Sequence, residues 1–155
     1  MLKINIIPDS KAWYKYIKNP SNFFEKNLYK FNKKFTIYKK KKLFCSLLLS
    51  ESKKIKKLNK KFRNKNKTTD ILSFPFYTSN ELKSKLKNKE KEIYIGDIII
   101  NLNKIKNKND KESFKLNLNK LWIHGLAHLF GYDHKKNEDF KKMSKIEKKF
   151  LSFLN

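Results

Sequence analysis

The chain has 155 residues, with 39 basic side chains against 14 acidic ones, a formal charge of +25 and one cysteine. That length fits a single domain spanning residues 1–155, large enough to bury a core without cross-links. One cysteine excludes an intrachain disulfide, and the lack of any ~18-residue apolar run excludes a membrane span.

The start, MLKINIIPDSKAWYKYIK, has no sustained apolar segment and no small-residue cleavage site, so a soluble, cytoplasmic protein is expected. The charge points to a polyanionic partner, RNA or a ribosome first. A second source is compositional: lysine exceeds arginine 38 to one beside 18 asparagines, the bias of an AT-rich coding sequence.

In chain order, LKINIIP (2–8) alternates and is rich in isoleucine, which predicts a strand. Residues 21–32 carry Phe23, Phe24, Leu28 and Phe31 at helical spacing, with Ser21 as the expected N-cap. LFCSLLLS (43–50) reads as a buried strand that takes Cys45 into the core. A helix then opens at Ser50-Glu51-Ser52 with Ile55, Leu58 and Phe62 on one face. TDILSFPF (69–76) predicts a strand that ends, or becomes an edge, at Pro75. The lysine-rich stretch 80–92 is a solvated excursion, helical or disordered. IYIGDIII (93–100) is another strand. Helices are predicted over 113–130 and 136–153, the last with Phe140, Met143, Ile146, Phe150 and Leu151 as its apolar stripe. The fold class is α/β (α+β): a small mixed β-sheet packed with helices.

All three histidines and two of the three glycines fall within HGLAHLFGYDH, residues 124–134. On a helical wheel His124 and His128 lie within about 40° of each other. Leu118, Trp122, Ile123, Leu126, Ala127 and Leu129 fill most of the remaining circumference, so this central helix is buried. Two imidazoles at i and i+4 share a divalent ion, and Gly131 suits the left-handed residue that ends a helix. The chain then turns back and returns His134 to the other two. Three neutral imidazoles favour one Zn²⁺ per chain, with nickel and copper not distinguished, and leave a fourth position open. Cys45 or Asp97 as a fourth ligand would make the site a closed structural one.

The H-x-x-x-H-x-x-G-x-x-H spacing equals that of metzincin proteases except at Gly125, where those enzymes carry glutamate. That glutamate is the general base and acid of peptide hydrolysis. Glycine does neither, so a metalloprotease is the weaker reading.

HGLAHLFGYDH resembles the signature of the YbeY family of bacterial endoribonucleases, H-G-x-L-H-L-x-G-Y-D-H, and departs from it only at Ala127. LNKKFRNKNKTTDILSFPF (58–76) and IGDIII (95–100) resemble two further family segments, in the family's order. The resemblance spans roughly residues 1 to 150. It implies a zinc-dependent, single-strand-specific endoribonuclease that processes ribosomal RNA, notably the 3′ end of the small-subunit RNA. It also implies ribosome quality control, with ribosomal RNA, the small subunit and ribosome-assembly proteins as partners and no DNA. By motif position it makes His124, His128 and His134 the metal ligands and Arg63 the family arginine.

Arg63 also stands out alone: only a guanidinium offers phosphate a planar fork. Catalysis would rest on Arg63 and the His124 metal site, with water or the RNA 2′-OH as nucleophile. Asp97 is a candidate to orient a ligand histidine from behind, or Gly96-Asp97 is a bulge. Asp133 either belongs to the site or closes a turn. Ser73 and Thr69 touch RNA or satisfy strand-end backbone groups, and Phe76, Tyr77 and Tyr94 stack bases or fill the core. The competing class is a non-enzymatic zinc-containing assembly factor that binds ribosomal RNA.

Overall fold

The structure, a computed structural model, describes every residue except Ile37 and Lys39. Four strands, β1 (Leu2–Pro8), β2 (Lys42–Ser50), β3 (Ile71–Pro75) and β4 (Glu92–Asn101), form one sheet in the order β1-β2-β4-β3. β1, β2 and β4 run parallel and β3 is antiparallel at one edge. Five helices surround it: α1 (Pro20–Lys34), α2 (Ser52–Arg63), α3 (Ser79–Lys87), α4 (Lys111–Leu129) and α5 (Asn137–Ser152).

The sheet has two unequal faces. Leu43, Cys45, Leu47 and Leu49 of β2 alternate into the main core, where they meet Phe24 and Phe31 of α1, Leu118, Trp122 and Leu126 of α4, and Phe150 of α5. On the other face a smaller cluster of Ile55, Leu72 and Ile99 lies under α2. α4 is therefore a central helix, buried at Leu118, Trp122, Ile123, Gly125, Leu126, Ala127 and Leu129.

Several expectations are corrected. Asn19, not Ser21, caps α1: its side chain accepts from the Asn22 amide at 2.9 Å, and Pro20 occupies the first turn, where its missing N–H costs nothing. Of the two alternatives for residues 80–92, helical or disordered, the helix holds: α3 opens on a reciprocal capping box of Thr78 and Glu81. Phe140 is 60 % exposed and is not part of the apolar stripe of α5, and Phe62 is 58 % exposed at the end of α2. A 3₁₀ turn over Lys11–Lys15 had no periodicity to announce it; Ser10 caps it and Trp13 anchors it, with the indole N–H donating to the Ser50 carbonyl at 3.1 Å.

Candidate metal centre

α4 ends in a Schellman motif. The Tyr132 amide donates to the Ala127 carbonyl at 3.1 Å and the Gly131 amide to the His128 carbonyl at 2.8 Å. Gly131 sits at φ +83°, and a Cβ there would come within 2.9 Å of Ser79 Cβ. Glycine is thus required both by the left-handed turn and by α3 packing against it. The reversal brings His134 back, so that donor atoms of His124, His128 and His134 all lie within 4.8 Å of one another. Asp133 closes the turn by accepting from the His134 amide at 2.8 Å.

The tautomers follow from the partners. His124 Nδ1 lies 2.6 Å from Glu147 Oε1, and an ionised carboxylate only accepts, so Nδ1 carries the proton. His128 Nδ1 lies 3.0 Å from the Tyr132 carbonyl, which also only accepts. Both Nε2 atoms therefore present lone pairs, and they face each other at 3.2 Å. Two acceptors at that distance repel unless a cation sits between them. Nitrogens ~2.0–2.1 Å from a tetrahedral ion stand about 3.3 Å apart, so the pair fits such an ion. Burial, then the neighbouring His124 and His134, pull the His128 pKa down to about 4, which keeps that imidazole neutral and available as a ligand.

Neither of the proposed fourth ligands joins the cluster. Cys45 is buried in the main core on β2, and burial pushes its thiol up to about 12. Asp97 follows a bulge: the β2–β4 register passes from Phe44↔Tyr94 to Cys45↔Gly96, skipping Ile95. Alternation then places Asp97 with Ile99 on the α2 face of the sheet, away from α4, where it accepts from the Tyr94 hydroxyl. The carboxylate behind a histidine of the cluster is Glu147 of α5, which the sequence does not announce by motif. A signal existed: Glu147 is four residues after Met143 and three before Phe150, so an acid stands on the apolar face of α5.

Arg63 is the last residue of α2, held there by Asn64 in the left-handed conformation at φ 54°. Its Nη2 donates to the Ser73 carbonyl at 3.1 Å, and the guanidinium lies over the Phe74 ring at 5.8 Å. The Asn101 amide bonds the Asp70 carbonyl, which fixes the ladder so that Ile71, Ser73 and Pro75 turn their backbone groups to the free edge of β3. Their side chains face α4: Ile71 abuts Gly125, and Gly96, opposite Pro75, abuts Leu129. Ser73 thus crosses α4 along the turn that holds His128. Its Oγ is buried with no hydrogen-bond partner among the described residues. The Thr69 hydroxyl donates to Asp70, a local strand-end contact.

Gly125 also gains a reason. A Cβ there would come within 2.8 Å of Ile98 Cγ2 and 3.0 Å of Ile71 Cδ1. Position 125 faces the sheet and not the histidines, so a peptidase's glutamate has no room here.

An α+β fold with three imidazoles converging from a central helix and its return turn defines a protein with a side-chain cluster that could hold a metal ion. The endoribonuclease YbeY family model matches residues 9–155, and the chain belongs to that family. It is 45 % identical over 157 residues to the endoribonuclease YbeY of Pelagibacter ubique, covering 99 % of this chain and 97 % of that one. Against the Ehrlichia canis endoribonuclease YbeY it is 34 % identical over 160 residues, covering 99 % and 93 %. A Thermotoga maritima protein solved in solution superposes with a TM-score of 0.59 at 26 % identity, covering 98 % of this chain and 89 % of that one.

Proposed function

We propose that this protein is a zinc-dependent, single-strand-specific endoribonuclease. It acts on ribosomal RNA in the cytoplasm, in small-subunit 3′-end maturation and ribosome quality control, together with ribosome-assembly proteins. The observation that carries the metal chemistry is the pair of opposed Nε2 lone pairs 3.2 Å apart with His134 beside them. The relatives' names carry the RNA, and a charge of +25 suits a polyanionic substrate.

When bound, the ion supplies a Lewis acid and an acidified water. The chain's own residues do the rest. Glu147 and the Tyr132 carbonyl hold His124 and His128 in the tautomer that offers Nε2. Arg63, stacked on Phe74 and bonded to Ser73, keeps its remaining N–H donors for the phosphate, where they stabilise charge as it develops on the phosphoryl oxygens. α4 is braced against β3, so these groups are placed before substrate arrives.

Metal content and cleavage measured on the same preparations test this. His124→Ala is expected to lose both. Arg63→Lys is expected to keep the fold and the metal and lose cleavage, because a lysine has no fork. Cleavage by Arg63→Lys at the wild-type rate would refute the arginine's role. Fully metal-loaded protein that cuts no single-stranded RNA would refute the enzyme and leave the RNA-binding assembly factor. A 2′,3′-cyclic phosphate end would assign attack to the RNA 2′-OH; a 5′-phosphate with a 3′-OH would assign it to water.

A further inference from the structure

α2 covers only one end of its sheet face. There Leu72 and Ile99 are buried under Ile55, with the partly buried Leu48, Leu58 and Phe74 packed against them. Toward the other end the same face carries aromatic rings, two of them exposed. Phe44 and Tyr94 pack at 5.3 Å, and Tyr94 meets Phe76 at 5.5 Å. Phe74 meets Phe62 at 5.4 Å. Phe62 is 58 % exposed and Phe76 is 62 % exposed, one on each flank of the half-buried rings. Apolar rings left this open are costly in water unless something covers them.

The surroundings are cationic. Lys61 Nζ lies 5.2 Å from the Phe62 ring, Arg63 lies over Phe74, and Lys60 shares the last turn of α2 with both. Of the acids on this face, Asp97 is tied to Tyr94 and Glu92 is paired with Lys42. The fitting occupant offers flat π faces and negative charge together, as an unpaired nucleotide strand does. A duplex hides those faces.

We propose that Phe62, Phe74, Phe76 and Tyr94 form a stacking platform for the bases of single-stranded RNA. Arg63 joins the platform to the metal centre through β3: its guanidinium touches Phe74 on one face of the strand and the Ser73 carbonyl at its free edge. The proposal rests on the endoribonuclease reading and deepens it. It gives a physical source for single-strand preference, separate from the metal.

The test is fluorescence anisotropy of a labelled single-stranded oligoadenylate on chelated, metal-free protein, which reads binding without cleavage. Phe62→Leu and Phe76→Leu are each expected to weaken binding about five-fold or more, and the double variant about twenty-five-fold or more. The slope of log K against log salt stays that of the wild type, because the phosphate contacts remain. Phe62→Tyr with Phe76→Tyr restores binding, and a strand with abasic residues binds wild-type protein as weakly as the double leucine variant does. Both rings are exposed, so melting curves of all variants overlay. Unchanged affinity in the double leucine variant, or equal binding of the abasic strand or a duplex, overturns the platform. Self-association lost in that variant with RNA affinity intact assigns the face to a second copy and overturns it as well. Protein that binds in this pattern but never cuts when loaded with zinc fails the endoribonuclease reading and leaves the platform standing.

Discussion

Glu147 makes the most direct prediction. Its carboxylate accepts the Nδ1 proton of His124, with Nδ1 and Oε1 2.6 Å apart, and the two side chains are 27 % and 31 % exposed. A charge-assisted hydrogen bond contributes roughly 1.5–3 kcal/mol, and this degree of exposure favours the lower end. Losing about 1.5 kcal/mol of ligand organisation corresponds to about a ten-fold weaker metal Kd, within the 10–100-fold range of such outer partners. Glu147→Ala is therefore expected to bind Zn²⁺ about ten-fold more weakly in a competition titration against a chromophoric chelator. Glu147→Gln keeps a carbonyl acceptor for the same proton and is expected to lose only a few-fold. The Co²⁺-substituted spectrum, which reports ligand geometry, should shift in the alanine variant and not in the glutamine one. Wild-type zinc affinity in Glu147→Ala, with the fold intact by melting, would refute the assignment.

Gly125→Glu is expected to gain no peptidase activity and to lower the melting temperature, with a loss above about 3 kcal/mol from an unpaired charge against Ile98 and Ile71; peptide hydrolysis and thermal melts read both. Gly131→Ala combines strain at φ +83° with a contact on Ser79 and is expected to cost more than about 1 kcal/mol in urea unfolding, and to weaken zinc binding through His134. Ser73→Ala removes a buried hydroxyl that has no partner among the described residues and is expected to raise stability by about 1 kcal/mol; a lowered melting temperature would refute this. Asp9 has its carboxyl held below the usual range by its hydrogen bond to Lys54, an ion pair at 2.6 Å. Its folded pKa lies below the unfolded one, so its contribution is present above about pH 4 and lost as pH falls through the folded value. Asp9→Asn should flatten that acid limb in pH-dependent melts.

Much of this molecule was legible from period and punctuation. Period-2 alternation found β1, and the apolar runs over 43–50 and 93–100 found the two central strands, because strands buried on the core face leave little room for polar side chains. The histidine spacing with Gly131 announced the metal centre because helix pitch and one left-handed residue suffice to bring three rings together. Relations across the fold were not legible. Glu147 is 23 residues from His124, and only the packing of α5 on α4 brings it there. The sequence offers Asp97 as a partner for a histidine or as part of a bulge, and the bulge at Ile95 turns it to the opposite face. Phe140 and Phe62 fit a helical stripe by spacing but stand 60 % and 58 % exposed, at the start of α5 and the end of α2, where Phe62 meets Phe74 edge-on instead of entering the core.

The choice between peptide and RNA rests on more than a missing glutamate. A peptidase that uses an edge strand beside its metal binds extended substrate by pairing main-chain groups with that edge. On β3 half of those positions are taken or missing. The Ile71 amide donates to the Asp70 carboxylate, the Ser73 carbonyl accepts from Arg63, and Pro75 has no N–H to offer. A peptide docking here would have to displace the arginine. For a phosphate strand the same contact is an advantage, because it fixes the guanidinium at the edge with donors to spare. Gly125 closes the other half of the argument, since the close packing that braces α4 against Ile71 and Ile98 removes the space a peptidase's base would need. The features that steady the metal helix are therefore the ones that make this edge poor for peptide and suited to RNA.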